Sequence, residues 1–288
     1  MSYPGVGEVP RSCEVCGGEV RGIALRHGGV LERCATCGHL LRDLDRAPAH
    51  HRDLAYGGEP RLDRVRLDLT YRSLVRGGRP GSVFEIGYGT GEMLRRFLDD
   101  GARVAGVDPD QLLLDVDPRV RAAGDLHRGT VETLTEAGQH DLVVGIHVLE
   151  HVEDPAAALA GARRLARPGG RVVMLTPAGD STGVERYGSA WWMLEDPTHR
   201  RFFTADSLAR AATAAGLVDV QVTRLPLDSL SVDAASLVRA LRPAERRAGV
   251  LASRTTMAAA VASLPLVLAQ RLVAPRSRPT LQLEARRP

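Results

Sequence analysis

Val83-Phe84-Glu85-Ile86-Gly87-Tyr88-Gly89-Thr90-Gly91 is the stretch that decides the fold. Ser82 to Ile86 is a short apolar run that reads as a buried parallel strand. Glycines follow at alternate positions. Behind them, Met93, Leu94, Phe97 and Leu98 fall at helical spacing. The order is therefore strand, glycine turn, helix. Glycine lets a backbone bend tightly and lets a ligand touch it. The helix start behind it presents free N–H groups and the positive end of the helix dipole.

Downstream of this unit the pattern repeats. Strands are expected at 103–108, 125–129, 141–147 and 171–176. Helices are expected near 110–116, 131–137 and 155–166. Continuous apolar strands alternating with helices predict a doubly wound, mostly parallel α/β sheet covered on both faces. A helix at 205–215 and a strand at 217–224 follow. A last strand, Thr280 to Ala285, is expected to pair beside 217–224. Ahead of the core, 61–76 reads as a helix with an apolar stripe of Leu62, Val65, Leu69 and Leu74.

The chain has 288 residues, 44% of them apolar, and a net charge of +3. It contains no lysine, so all 38 basic residues are arginine. This charge is too mild to argue for nucleic acid. The N-terminus lacks a basic-then-apolar signal pattern, so a cytoplasmic protein is expected. No uncharged apolar run approaches the ~20 residues that span a bilayer.

All four cysteines lie at the N-terminal end: Cys13-x2-Cys16, seventeen residues, then Cys34-x2-Cys37. That is zinc spacing, with two disulfides or free thiols as alternatives. Val20–Leu25 and Val30–Arg33 around His27-Gly28-Gly29 read as a hairpin, which makes the segment a zinc ribbon. Four thiolates leave no open position, so the metal would be structural. Residues 40 to 60 read as a polar linker or lid, and the pair His50-His51 within it as solvated surface.

The chain divides into a ribbon (1–42), a linker and helix (43–80), a core (81–226) and a C-terminal region (227–288). Within the core, 177–203 reads as a substrate lid containing Trp191, Trp192 and His199. Ten arginines and two glutamates fall between Arg239 and Pro288. They flank the apolar segment 257–269. Peripheral contact with an anionic membrane face through 254–275, cover for the sheet, and a homodimer contact all stay open there.

The glycine turn alone fits several ligands. A phosphate loop needs Gly-Lys-Ser/Thr, and there is no lysine. A dinucleotide turn wants G-x-G-x-x-G with an acidic residue about 20 positions on. Here the spacing is G-x-G-x-G, and Glu85 precedes the turn, where it would repel a pyrophosphate and hold a cationic group.

Glu85-Ile-Gly-Tyr-Gly-Thr-Gly resembles the first motif of class I S-adenosylmethionine-dependent methyltransferases. Val107-Asp108-Pro109, the run His140 to Val152 and Ala166-Arg-Pro-Gly-Gly170 resemble its later motifs, so the likeness covers 82 to 224. Glu85 stands where Asp is commoner, and His140 where Phe is common. The ribbon followed by Tyr56 and Arg64 resembles a bacterial subgroup often found in sugar, glycan or secondary-metabolite pathways. The core is also similar to ubiquinone-type O-methyltransferases.

The resemblance implies a Rossmann-like seven-stranded methyltransferase fold and S-adenosylmethionine as cofactor. Gly87, Tyr88, Gly89 and Gly91 would approach its methionine part, and Glu85 would organise the amino group or the loop. Asp108 would accept from the ribose diol, with Pro109 beside it. Thr130 and Val131 would lie near adenine, and His147 beneath the methyl group. It implies a small-molecule or glycan acceptor, not nucleic acid.

Methyl transfer from a sulfonium needs chiefly proximity. A hydroxyl acceptor also needs a base. His151 and His199 are the first candidates and His147 the third, since histidine titrates near neutrality. The bland alternatives are a backbone bond for His151 at a helix start and packing on tryptophan for His199. A nucleic-acid or protein modifier docking through its ribbon is a second hypothesis. The mixed charges of 13–38, and the lack of an Asn-Pro-Pro-Tyr type signature, speak against it. A dinucleotide-dependent oxidoreductase is a third, separable by ligand binding.

Overall fold

A seven-stranded sheet carries the expected alternation. The computed structural model describes residues 12–48, 60–109, 115–135, 138–241 and 254–288. His50, His51, Tyr56 and most of the segment 110–116 lie outside the described residues, as do Glu136 and Ala137 of the expected helix 131–137. The strands are β4 (Ser82–Ile86), β5 (Arg103–Asp108), β6 (Asp125–Arg128), β7 (His140–Ile146), β8 (Ala166–Pro177), β10 (Val218–Arg224) and β11 (Thr280–Arg286). Their order is β10-β11-β8-β7-β4-β5-β6. The five strands from β4 to β8 pair in parallel, and β11 runs antiparallel between β8 and β10.

Strand order reverses between β4 and β7, because β5 lies on one side of β4 and β7 on the other. A crevice for a ligand opens at the carboxyl ends of strands at such a switch point. The two segments leaving those ends are Gly87–Gly91 and His147–His151.

The sheet is covered on both faces, as its continuous apolar strands require. Phe84, Val143 and Met174 point into one core with Leu159 of α4 (Pro155–Leu165) and Leu208 of α6 (Ala205–Ala214). Val83, Leu142 and Val173 point into the other with Phe97 of α2 (Glu92–Asp99) and Leu74 of α1 (Pro60–Leu74). In α1 the buried stripe is Leu67, Thr70 and Leu74, whereas Val65 and Leu69 are exposed. The expected stripe is thus rotated, because α1 packs its Leu67 face on α2.

After β5 comes α3 (Pro118–Ala123), a helix not expected from the sequence, capped by the Asp117 side chain, which accepts from Arg119 N and Val120 N. The expected helix 131–137 is not formed over its described residues. Residues 131–133 form a turn closed by Thr133 N–H to Thr130 O. Val131 there is drawn into the core against Gly161.

The ribbon strands are β1 (Val20–Ala24), β2 (Val30–Cys34) and β3 (Leu40–Arg42). Leu40 to Arg42, read from sequence as linker, is the ribbon's third strand. The same small sheet takes a fourth strand from far along the chain, β9 (Arg201–Phe202), beside β3. Its pairing joins ribbon to lid.

The lid is more regular than a loop. It holds α5 (Thr182–Tyr187) and two short 3-10 turns at Gly188–Ala190 and Trp192–Leu194. Both tryptophans are buried in a third core with Leu31 and Leu40 of the ribbon, Phe202, and Ala235 of α7 (Val232–Leu241). They brace segment 177–203, expected from sequence as a lid, against the ribbon.

Segment 257–269 belongs to α8 (Arg254–Val273), with Pro265 inside it. Val267 and Arg271 face inward. Val261, Pro265, Leu266, Ala269, Leu272 and Val273 form an exposed apolar stripe. No described helix is long and apolar enough to cross a membrane.

Candidate active site

The turn after β4 bends through three left-handed glycines, Gly87 (φ 73°), Gly89 (φ 51°) and Gly91 (φ 75°). L side chains rarely adopt this region. A Cβ on Gly87 would meet Val148 Cγ2 at 2.7 Å, so the turn has no room for one. Gly91 also caps α2, whose first turn carries Glu92. Asp108, at the end of β5, accepts from Gly89 N–H at 2.9 Å. The carboxylate that the resemblance assigns to the ribose diol therefore also braces the glycine turn. Tyr88 packs partly buried into the core behind it. Pro109 and Thr130 are exposed.

Glu85 lies beneath the turn and is only 4% exposed. One carboxylate oxygen accepts from the Leu94 backbone, while Oε2 has no hydrogen-bond partner. Burial, reinforced by the negative charge of Asp108, pushes its carboxyl well above the usual range. A buried orphan acceptor is costly unless a ligand satisfies it. A ligand with an ammonium group at the glycine turn suits this carboxylate, so the residues fit S-adenosylmethionine.

At the other side of the switch point β7 ends on His147, itself left-handed at φ 55°. Strained non-glycine backbone of this kind tends to gather at functional sites. Its ring lies between two carboxylates. Nδ1 is 3.1 Å from Glu150 Oε1, and Nε2 is 3.6 Å from Asp228 Oδ2. Glu150 is fully buried and also accepts from Thr176 Oγ1 at 3.0 Å. Burial alone would lower the His147 pKa, but the two facing carboxylates, Asp228 close to Nε2 and Glu150 hydrogen-bonded to Nδ1, outweigh it and raise it to about 9. Against the same burial, His147 lowers Glu150 to about 2 and Asp228 below the carboxylate range. His147 is thus held as a cation near neutrality and is unsuited to act as a base. The geometry argues against that candidate.

Asp228 comes from the turn after β10 and is delivered by α8. Arg271, 1% exposed, donates to the carbonyls of Asp228 (2.5 Å), Ser229 (2.9 Å) and Pro226 (3.2 Å), and pairs with Asp233 at 3.1 Å. The buried arginine of α8 therefore fixes the carboxylate over His147.

His151 and His199 meet, with ring centroids 4.7 Å apart. His199 is buried and donates through Nδ1 to Met193 O at 2.7 Å. His151 Nδ1 lies 2.9 Å from Thr198 Oγ1, whose own hydroxyl donates to Asp196 Oδ1 at 2.6 Å. The hydroxyl proton is committed to Asp196, so Thr198 accepts from His151 and its Nδ1 bears the ring proton. The Nε2 lone pair of His151 is then the basic one. Carboxylate, hydroxyl and imidazole stand in a line, as in other activated bases.

Glu150, His151 and His199 also offer ligand atoms within 4.8 Å of one another, a geometry that could take a cation. Asp196, Thr198, Glu150 and Asp228 were not singled out from sequence. Glu150 sits inside a quoted motif, and Asp196 and Thr198 share the Asp-Pro-Thr-His run with His199. Asp228 carried no local signal.

The four cysteine sulfurs cluster within 4.8 Å. Cys13–Cys37 is 3.7 Å, and Cys16 lies 3.5 Å from both Cys34 and Cys37. Zinc–sulfur bonds of about 2.3 Å put tetrahedral corners about 3.8 Å apart, so the cluster fits zinc. It does not fit disulfides, whose sulfurs are about 2.05 Å apart. Gly17 and Gly38, both left-handed, follow the two knuckles.

Residues 59–222, more than half of the chain, match the model of a methyltransferase domain family. An uncharacterized 37.1 kDa protein in transposon TN4556 of Streptomyces fradiae is 32% identical over 209 residues, 67% of this chain and 57% of that protein. A ubiquinone biosynthesis O-methyltransferase of Aromatoleum aromaticum is 33% identical over 121 residues, 40% of this chain and 51% of the relative. The chain spans about half the length of these curated relatives. A solved geranyl diphosphate methyltransferase, in complex with GPP and sinefungin, superposes with TM-score 0.54. It is 17% identical, with 79% of this chain and 80% of that one covered, a likeness of fold. A glycine turn and a histidine turn at the switch point of this sheet, with the family match, make the chain a member of the methyltransferase domain family.

Proposed function

We propose that the protein transfers a methyl group from S-adenosylmethionine to an oxygen of a small-molecule acceptor, of sugar, glycan or secondary-metabolite type. The observation that carries oxygen over other acceptors is the hydrogen-bonded chain from Asp196 through Thr198 to His151 Nδ1. A hydroxyl must lose its proton as it attacks, and an imidazole with its Nε2 lone pair available supplies that base. The likeness to ubiquinone biosynthesis O-methyltransferases supports the same acceptor atom.

In this reading the sulfonium donor arrives activated, and the chain supplies position and proton transfer. Glu85 and the glycine turn hold the amino-acid end, and Asp108 the ribose. His151 Nε2 takes the acceptor proton, while Thr198 and Asp196 keep its ring in the required tautomer. Cys13, Cys16, Cys34 and Cys37 would hold a structural zinc that takes no part in the chemistry. The exposed stripe of α8, with no acidic residue between Arg254 and Leu283, suits peripheral contact with an anionic membrane.

The test is incubation with S-adenosylmethionine and a panel of phenolic and sugar acceptors, with products assigned by NMR. An O-methyl product that disappears in His151→Ala supports the proposal. A product methylated only at nitrogen or carbon, or full activity of His151→Ala, contradicts it.

A further inference from the structure

The structure assigns a positioning role to Glu14 and Arg201. Through them the ribbon fixes the turn that carries His151, so the metal module is part of the acceptor site's scaffold. The link to acceptor chemistry rests on the methyltransferase reading above; the mechanical link does not.

Arg201 lies in β9, whose partner is β3 of the ribbon. Its side chain is 3% exposed. The guanidinium is shared between two groups. On one side, Nε donates to Glu14 Oε1 at 2.7 Å and Nη2 to Glu14 Oε2 at 3.3 Å. On the other, Nη1 donates to Leu149 O at 3.4 Å and to Val152 O, and Nη2 to Glu153 O at 3.1 Å. These three carbonyls frame the turn that contains Glu150 and His151. One planar fork thus satisfies three carbonyls of the histidine turn and is itself held by a carboxylate.

Glu14 stands between the ligands of the first knuckle, Cys13 and Cys16. It also lies 2.8 Å from His39 Nε2. The second knuckle makes its own tie. Thr204 Oγ1 donates to Cys37 O at 2.7 Å, and the His39 ring packs on Phe203 at 4.7 Å. Both knuckles therefore grip 201–204, and Arg200 N–H donates to Glu150 O at 2.9 Å in the same span. This set of contacts meets the glycine turn of β4 where Val148 packs on Gly87; the Asp108 and Glu85 contacts of that turn lie outside it.

If the ribbon were an independent module, loosening Glu14 would leave the histidine turn unchanged. The test is hydrogen exchange by mass spectrometry on full-length zinc-loaded protein. Wild type, Glu14→Gln, Glu14→Ala and Arg201→Lys are compared, with zinc content and S-adenosylhomocysteine binding measured alongside. Loss of a bond to a charged group predicts amide exchange across 147–153 faster by about tenfold or more in Glu14→Ala and Arg201→Lys. The effect is smaller in Glu14→Gln, which keeps one acceptor for Nε. Zinc stays bound, and the dissociation constant for S-adenosylhomocysteine changes by less than about threefold, because Glu85, Asp108 and the hydrogen bond that braces the glycine turn are untouched. Unchanged exchange across 147–153 in both Glu14→Ala and Arg201→Lys overturns the proposal. Should Glu14→Ala fail to fold, Arg201→Lys decides alone, since it leaves the knuckles intact. Wild type that fails to bind S-adenosylhomocysteine would sink the functional reading and leave the exchange result standing.

Discussion

Glu85 is a buried carboxyl with an unsatisfied oxygen and a raised pKa. An ammonium group brought beside it favours the ionised form. Binding of S-adenosylhomocysteine should therefore release protons over the raised range in which Glu85 titrates, and affinity should rise with pH across it. Calorimetry in buffers of different ionisation enthalpy measures the release; Glu85→Gln should abolish it and weaken binding about tenfold or more. His151→Ala should lower kcat by about 10² to 10⁴ while cofactor binding persists. Thr198→Val should cost less and leave the same product. The histidines show how far residue-level reading reached. His151 and His199 were legible as candidates because a neutral imidazole suits the task. His147 looked equivalent in sequence, yet its place between Glu150 and Asp228 makes it a cation. Asp228 lies 81 positions away in the chain, so only tertiary structure reveals that difference.

Among the elements, strands were the most legible, since buried parallel strands read as unbroken apolar runs. The pairing of β11 beside β10 was expected from the sequence, whereas the strand order around β4 came only from the structure. Helices near the sheet's rim were less so. α3 was not read from sequence, although Asp117-Pro118 supplies its cap and first turn. The lid tryptophans looked like an acceptor surface, but apolar bulk beside a ribbon serves packing equally well. The ribbon's spacing was legible; its third and fourth strands were not, because β9 comes from residues 201–202. Elemental analysis should find one zinc per chain, lost in Cys37→Ser. For α8, the exposed stripe predicts binding to vesicles rich in anionic lipid. Leu266→Glu, at a 72% exposed position, should abolish flotation with the vesicles and leave the melting temperature unchanged. Equal flotation of the variant would rule out this face.

Over the whole molecule, the His147 cluster ties β7, β8, the turn after β10 and, through Arg271, α8. Its folded pKa of about 9 exceeds the ordinary value of about 6.5. The stabilisation it gives is therefore complete below about pH 6.5 and is lost as pH rises through about 9. Melting temperature should fall over that window, and His147→Gln should flatten the fall. At the acid end, Glu150 and Asp228 are depressed, so their contribution is present above the ordinary carboxylate range and is lost as pH drops through about 2. The crevice between β4 and β7 is expected to take S-adenosylmethionine and its demethylated product. Calorimetry on the zinc-loaded full chain tests this most directly, with S-adenosylhomocysteine and NAD titrated separately. One site is expected for S-adenosylhomocysteine, weakened in Glu85→Gln and Asp108→Ala, with no heat from NAD. Binding of NAD without S-adenosylhomocysteine would contradict this expectation.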